Sequence, residues 1–191
     1  ALLWFDEVQS GIGRPGDWLA HLRHGVVPDV VTLAKGLGGG FQVGACLANE
    51  RASTGMAPGS HGSTFGGNPL AMAVANAVLD VVLADGFLDR VDAMARKLWT
   101  RLEELVAGNP KVFEEVTGAG LMVGLKCVPE NATVVGKFTE GGLLTVAAGN
   151  NVVRLVPPLI IEDSHVDEAL TIMEKACAEL AAGGETRGAA G

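Results

Sequence analysis

The chain has 191 residues, 48% of them hydrophobic and 19% charged, so buried apolar surface competes with the entropy of ordering the backbone; wholesale disorder and a peptide-sized, disulfide-stapled scaffold are excluded. Fourteen Lys and Arg against 22 Asp and Glu leave a formal charge of −8, a balance that repels a phosphate backbone and speaks against nucleic acid as a partner. Cys46, Cys127 and Cys177 are scattered, odd in number and outside any metal-ligand spacing, so no metal site is expected and a reducing, cytoplasmic setting is.

Ala1 to Phe5 is a short apolar run that stops at two acids, as a buried parallel strand does at the sheet edge, with Asp6 at its carboxyl end. Val30 to Leu33 repeats the pattern just before Lys35, and Val43 to Ala48 gives a third run. Three short strands with turn-rich or helical connections favour an α/β sheet. Asn68-Pro69 opens a helix that should run to about Ala84, with Asn as cap and Pro at the first helical position. Its stretch Leu70 to Ala84 is interrupted by Asn76 and Asp80 and is shorter than the roughly 20 apolar residues of a membrane span. It reads as a buried helix, and no membrane association is expected.

From about Gly86 a second helix places Phe87, Leu88, Val91, Met94, Leu98, Leu102, Leu105 and Val106 in one stripe, and Gly108-Asn109-Pro110 ends it. Leu121 to Val128 and Val152 to Val156 read as strands, the latter stopped by Pro157-Pro158. Ser164-x-x-Asp167 resembles a capping box, after which Val166, Leu170, Met173, Cys177 and Leu180 share one side of a last helix. The expected division is a large-domain α/β part over 1–86, a small α+β domain over 87–182, and a flexible tail over 183–191. Nothing at the start reads as a secretory leader, and the first residue is not Met.

Glycine is the compositional departure: 27 residues, about twice the usual share of about 7%. The excess clusters at Gly11, Gly13 and Gly16, at Gly36 and Gly38 to Gly40, and at Gly62, Gly66 and Gly67, where backbone is free to approach a ligand closely. Asp6 alone reads equally well as a structural acid, and Lys35 alone as a loop lysine. Together they are more specific, because ligands of open α/β sheets bind outside the carboxyl ends of the strands. A phosphate suits the glycine loops but is repelled by a buried aspartate. An aldehyde cofactor with a basic ring nitrogen resolves the conflict. Lysine bonds the aldehyde, aspartate holds a proton on the distant nitrogen, and glycine backbone takes the phosphate, which is the chemistry of pyridoxal phosphate.

Four ordered segments carry a resemblance: Trp4 to Arg14 (WFDEVQSGIGR), Pro28 to Gly40 (ending LAKGLGGG), His61 to Pro69 (HGSTFGGNP) and Asn151 to Leu159 (NVVRLVPPL). With them the chain resembles the class III aminotransferases among the fold-type I pyridoxal-phosphate enzymes. The resemblance implies a partial large domain with a mostly parallel sheet, followed by a small C-terminal α+β domain. It implies Lys35 as the aldehyde-bonding lysine and proton carrier, and Asp6 as the partner of the ring nitrogen. Asp6, Glu7, Val8, Gln9, Lys35 and Thr64 fall among the cofactor-contacting positions, with Val8 on the ring face and Gln9 on the phenolic oxygen. Ser63 and Arg154 correspond to substrate positions, Arg154 taking the α-carboxylate with a planar fork. Thr64 corresponds to a residue that reaches the phosphate of a neighbouring subunit, implying a homodimer. Without the resemblance, Ser63 and Thr64 read as helix or turn caps, and His61 has no assignable role.

The implied reaction moves an amino group between N-acetylornithine and 2-oxoglutarate, giving N-acetylglutamate semialdehyde and glutamate in arginine biosynthesis. Ornithine, 4-aminobutyrate, succinyl-diaminopimelate or another terminal amine is the alternative donor, and an inactive fragment with a structural role the alternative of another kind. Members of the family are about twice this long, and the matching part is their second half. The phosphate-binding glycine segment, a ring-stacking aromatic residue and a further arginine belong to the first. Gln42 stands where Pro is usual and Pro15 where Thr is commoner. Gly11-x-Gly13-x-x-Gly16 with Asp29 also matches the spacing of a dinucleotide fingerprint, but that motif requires its first glycine directly after a strand and a helix opening from its last.

Overall fold

The computed structural model describes residues 1–187. The chain forms two compact units that divide at Arg90 and Val91, a few residues into a helix that starts where the second domain was expected.

The first unit contains strands β1 (Trp4–Asp6), β2 (Val30–Leu33) and β3 (Ala45–Ala48) in the order β1-β2-β3. β1 runs parallel to β2, with Asp6 opposite Thr32, and β3 returns antiparallel with Cys46 opposite Thr32. Because strand side chains alternate between faces, Val31 and Leu33 enter a core with Ile12, Leu37, Ala75 and Val82. Trp4, Asp6, Thr32 and Cys46 share the other face. A short helix α1 (Glu50–Ser53) is capped by Asn49 and helix α2 (Pro69–Val82) by Asn68, whose side chain accepts from the Ala71 N–H at 2.9 Å. Asn68 therefore does the capping, and Ser63 and Thr64 do not.

Two burial expectations are corrected. β1 is an edge strand whose outer face nothing in this unit covers, and Trp4 is 64% exposed. In α2 only Ala71, Ala75 and Val82 are buried, while Leu70 is 61% exposed. An apolar run records that burial is favourable, not that this unit supplies the covering surface. The Gly11 to Gly16 segment is a run of turns followed by a 3-10 helix at Ala20–His24, so the dinucleotide reading fails. Asp29 is an architectural clamp: its carboxylate accepts from the Leu3 N–H and the Asn49 side-chain amide, both at 2.8 Å. Those bonds tie the start of β1 to the end of β3 and hold the Asp29 carboxyl below its ordinary value, the Leu3 bond being the larger cause.

The second unit surrounds an antiparallel sheet, β4 (Phe113–Ala119), β5 (Met122–Cys127), β6 (Val146–Ala148) and β7 (Val152–Leu155), in the order β4-β5-β7-β6. Helices α3 (Phe87–Gly108), α4 (Asn131–Glu140) and α5 (Asp163–Arg187) accompany it. The expected stripe of α3 is real, with Val91, Met94, Leu98, Leu102 and Leu105 buried. The β6–β7 turn places Asn150 and Asn151 at φ 57°, the left-handed pair that a tight hairpin demands and that asparagine tolerates. The Asn151 amide donates to the Cys127 and Pro129 carbonyls, and its oxygen accepts from the Asn131 N–H, so one side chain joins a hairpin to the start of α4. β4, α4 and β6 have no counterpart in the sequence reading.

The capping box is also corrected. α5 begins at Asp163, which places Ser164 inside the first turn. The Glu162 N–H donates instead to Nδ1 of His165 at 3.0 Å, and Asp167 pairs with Arg101 at 2.9 Å. The expected tail starts within α5, which extends to Arg187; residues 188–191 lie outside the described residues. Among the described residues no single helix is long and apolar enough to cross a membrane.

Candidate active site

Asp6 ends β1, and Lys35 lies two residues beyond the end of its parallel neighbour β2. Both therefore stand at the carboxyl end of adjacent parallel strands, where a ligand meets the sheet edge. Both side chains are exposed in this unit. Oδ1 of Asp6 accepts from the Val8 N–H at 3.0 Å and from the Thr32 hydroxyl at 3.3 Å, while that hydroxyl oxygen accepts from the Trp4 indole N–H at 3.3 Å. The chain Trp4–Thr32–Asp6 fixes the carboxylate from one side. Thr32 escaped the sequence reading; its signal was a lone hydroxyl in the run Val-Val-Thr-Leu.

Lys35 opens a 3-10 turn, Lys35–Gly38, in a left-handed conformation with φ 45°. Gly39, at φ 55°, closes that turn, and Gly40 follows at φ 112°; side-chain-bearing residues rarely adopt such angles. The glycine run is thus required by the backbone path that presents the lysine.

Glu7 is placed differently from the expectation. It points away from Asp6, is 3% exposed, and its carboxylate accepts from the Ala20 N–H (2.6 Å), the His21 N–H (2.8 Å) and Nδ1 of His21 (2.7 Å). The His21 ring also lies 5.8 Å from that of Phe5. Alternation explains the placement: in extended backbone Asp6 and Glu7 face opposite sides. Glu7 therefore fastens the 3-10 segment to the strand end and is not free for a ligand. Val8 and Gln9 occupy the half-buried turn that follows. Arg14 is held below its ordinary value by burial.

Ser63 and Thr64 lie on an exposed loop beside Phe65, which is 81% exposed, and neither is bonded to Asp6 or Lys35. Arg154 belongs to the second unit. It is half-buried on β7, opposite Gly124 of β5 and Val146 of β6. A Cβ at Gly124 would stand 2.7 Å from both Thr117 Oγ1 and Val152 Cγ1, so a larger neighbour of Arg154 would push one of those side chains aside. Of the predicted residues, the structure gathers Asp6, Val8, Gln9 and Lys35 on two adjacent strand ends.

The α/β chain that carries these two strand ends shares its fold with solved aminotransferases. N-acetylornithine aminotransferase from Stenotrophomonas maltophilia superposes with a TM-score of 0.84 at 37% identity, over 96% of this chain and 48% of that one. An ornithine aminotransferase from Toxoplasma gondii gives 0.86 at 33% identity, over 94% and 44%. The chain belongs to the Aminotransferase class-III family, which it matches over residues 1–177. It is 50% identical over 188 residues to acetylornithine aminotransferase 1 of Bradyrhizobium diazoefficiens, covering 98% of this chain and 46% of the relative. With acetylornithine aminotransferase of Mesorhizobium japonicum the identity is 53% over 169 residues, covering 88% and 42%. The chain thus spans under half the length of these relatives.

Proposed function

We propose that the protein carrying this chain is a pyridoxal-phosphate-dependent aminotransferase. Its amino donor is N-acetylornithine and its acceptor 2-oxoglutarate, a step of arginine biosynthesis. The observation that carries the reading is the placement of Asp6 and Lys35 at the carboxyl ends of β1 and β2, in a chain 50% identical to an acetylornithine aminotransferase.

The donor set suits the cofactor. Both bonds to Asp6 use Oδ1, which leaves Oδ2 for a protonated ring nitrogen, and Lys35 stands on the neighbouring strand end with an exposed amine. When bound, the cofactor supplies an aldehyde carbon and an electron-withdrawing ring. Lys35 would hold that aldehyde and, with its amine free, would serve as the base that moves a proton through Nζ. The Asp6 carboxylate keeps the ring nitrogen protonated, because an opposite charge within a few ångströms favours the charged form. Val8 packs against the ring and Gln9 bonds its phenolic oxygen. Ser63 meets the acyl end of the donor, Arg154 its α-carboxylate, and Thr64 reaches the phosphate of a second subunit in a cytoplasmic homodimer.

Borohydride reduction of the complete protein with pyridoxal phosphate, followed by peptide mapping, should place the label on Lys35. Diffuse labelling of surface lysines would instead identify an inactive fragment. Ornithine is the second donor to test, since ornithine aminotransferases are among the structural neighbours. Faster turnover with ornithine than with N-acetylornithine overturns the donor assignment and leaves the reaction class intact.

A further inference from the structure

We infer that Ile12 is a positioning residue for Lys35, an inference that rests on the reading of Lys35 given above. Ile12 sits between Gly11 and Gly13 at φ 56°, a left-handed conformation that is a genuine outlier for a β-branched residue. Such strain persists only where the surroundings over-determine it, and here the surroundings are identifiable. A Cβ at Gly11 would stand 2.8 Å from the Glu7 carbonyl oxygen and 3.0 Å from Leu33 Cδ2, so the chain enters residue 12 pressed against the end of β2. The Gly11 N–H donates to that Glu7 carbonyl at 2.9 Å, and on the far side the Gly13 N–H donates to the Trp18 carbonyl at 3.1 Å. Glu7 is itself fastened to Ala20 and His21.

The side chain so constrained is 4% exposed and lies against the turn that carries the lysine. A Cβ on Gly36 would meet Ile12 Cβ at 3.4 Å, Cγ2 at 3.6 Å and Cγ1 at 3.9 Å. Lys35, next to Gly36, has φ 45°. The two left-handed non-glycine residues described in this unit are therefore joined through Gly36. An exposed lysine followed by glycine has right-handed alternatives open to it. Ile12 shares one buried core cluster with Leu37 of the same turn, so its branched carbons back the Lys35–Gly38 turn from the core side and hold the amine at the end of β2.

Three variants of the complete protein test this, with pyridoxal phosphate as the probe. The lysine amine condenses with the aldehyde with loss of water, and borohydride adds hydride to leave a stable secondary amine. Peptide mapping then gives the labelling rate at Lys35 relative to the exposed Lys97 and Lys111. Ile12→Val keeps Cβ and both Cγ carbons and should label Lys35 at the parent rate. Ile12→Ala removes both Cγ carbons, and Ile12→Leu keeps the volume but moves the branch point. Each should slow labelling at Lys35 by about tenfold, within the range that an ångström of misplacement produces, with Lys97 and Lys111 unchanged. Parent-like selectivity for Lys35 in Ile12→Leu overturns the inference, even where the melting temperature falls, and this variant decides if Ile12→Ala does not fold. Loss of Lys35 selectivity in the unsubstituted protein sinks the aminotransferase reading itself, and this inference with it.

Discussion

The carboxylate of Glu7 offers a graded perturbation whose size follows from its bonds. Oε1 accepts from the His21 N–H and from His21 Nδ1, and Oε2 from the Ala20 N–H. In Glu7→Gln the amide oxygen can replace Oε1 and keep two of these, but the amide nitrogen then faces the Ala20 N–H, donor against donor. One bond is lost and a partly buried N–H is left unmatched, for about 1–3 kcal/mol. Glu7→Ala removes all three acceptor contacts at a site 3% exposed, and the loss should reach about 3–5 kcal/mol, as when one partner of a buried pair is deleted. His21→Phe keeps a ring beside Phe5 and loses one bond, for about 1 kcal/mol. Urea unfolding followed by tryptophan fluorescence reads all three, since Trp18 lies in the segment that Glu7 holds. The order Ala, then Gln, then Phe is the signature. Glu7→Ala within about 0.5 kcal/mol of the parent, the range of ordinary surface substitutions, would refute the anchoring role.

Other outcomes follow from the same geometry. Asp6→Ala should abolish transamination while retaining reductive trapping at Lys35, because the lysine still meets the aldehyde but the ring nitrogen loses its counter-charge; full activity in that variant would remove Asp6 from the mechanism. The depressed Asp29 carboxyl contributes stability above its unfolded value of about 4 and loses that contribution as pH falls through its lower folded value. Asp29→Asn should therefore be less stable than the parent at neutral pH, with the gap closing in acid; a gap constant with pH would contradict this. Burial pushes the Cys127 thiol up to about 11 and the Cys177 thiol up to about 12, so a maleimide at mild pH should label exposed Cys46 alone until the protein unfolds. Asn151→Ala loses three hydrogen bonds and puts at φ 57° a residue without the polar side chain that lets asparagine tolerate that conformation. Thermal or urea unfolding should show a loss of about 2–4 kcal/mol, with Asn151→Gly milder by about 1 kcal/mol.

Local grammar was legible from the residues. Val30 to Leu33, the Asn68-Pro69 helix start and the α3 stripe are set by alternation, capping and the 3.6-residue period, which depend on near neighbours. The placement of Asp6 and Lys35 at neighbouring strand ends was legible for the same reason, since a strand end places its next residues at the sheet edge. Elements without such a signal were missed: β4 carries two adjacent acids, α4 contains Gly136 and two valines, and β6 is three residues long.

Long-range partners were decided by the tertiary structure alone. Glu7 meets residues 20 and 21, Asp29 meets residues 3 and 49, and Ile12 meets Gly36. None of these pairs has a periodic spacing, because each arises where separate loops are packed onto the same sheet. The sequence by itself determined which residues favour burial, turns or charge at the sheet edge. Which backbone N–H each carboxylate takes, and which loop packs beside Gly36, depended on the closing of the sheet.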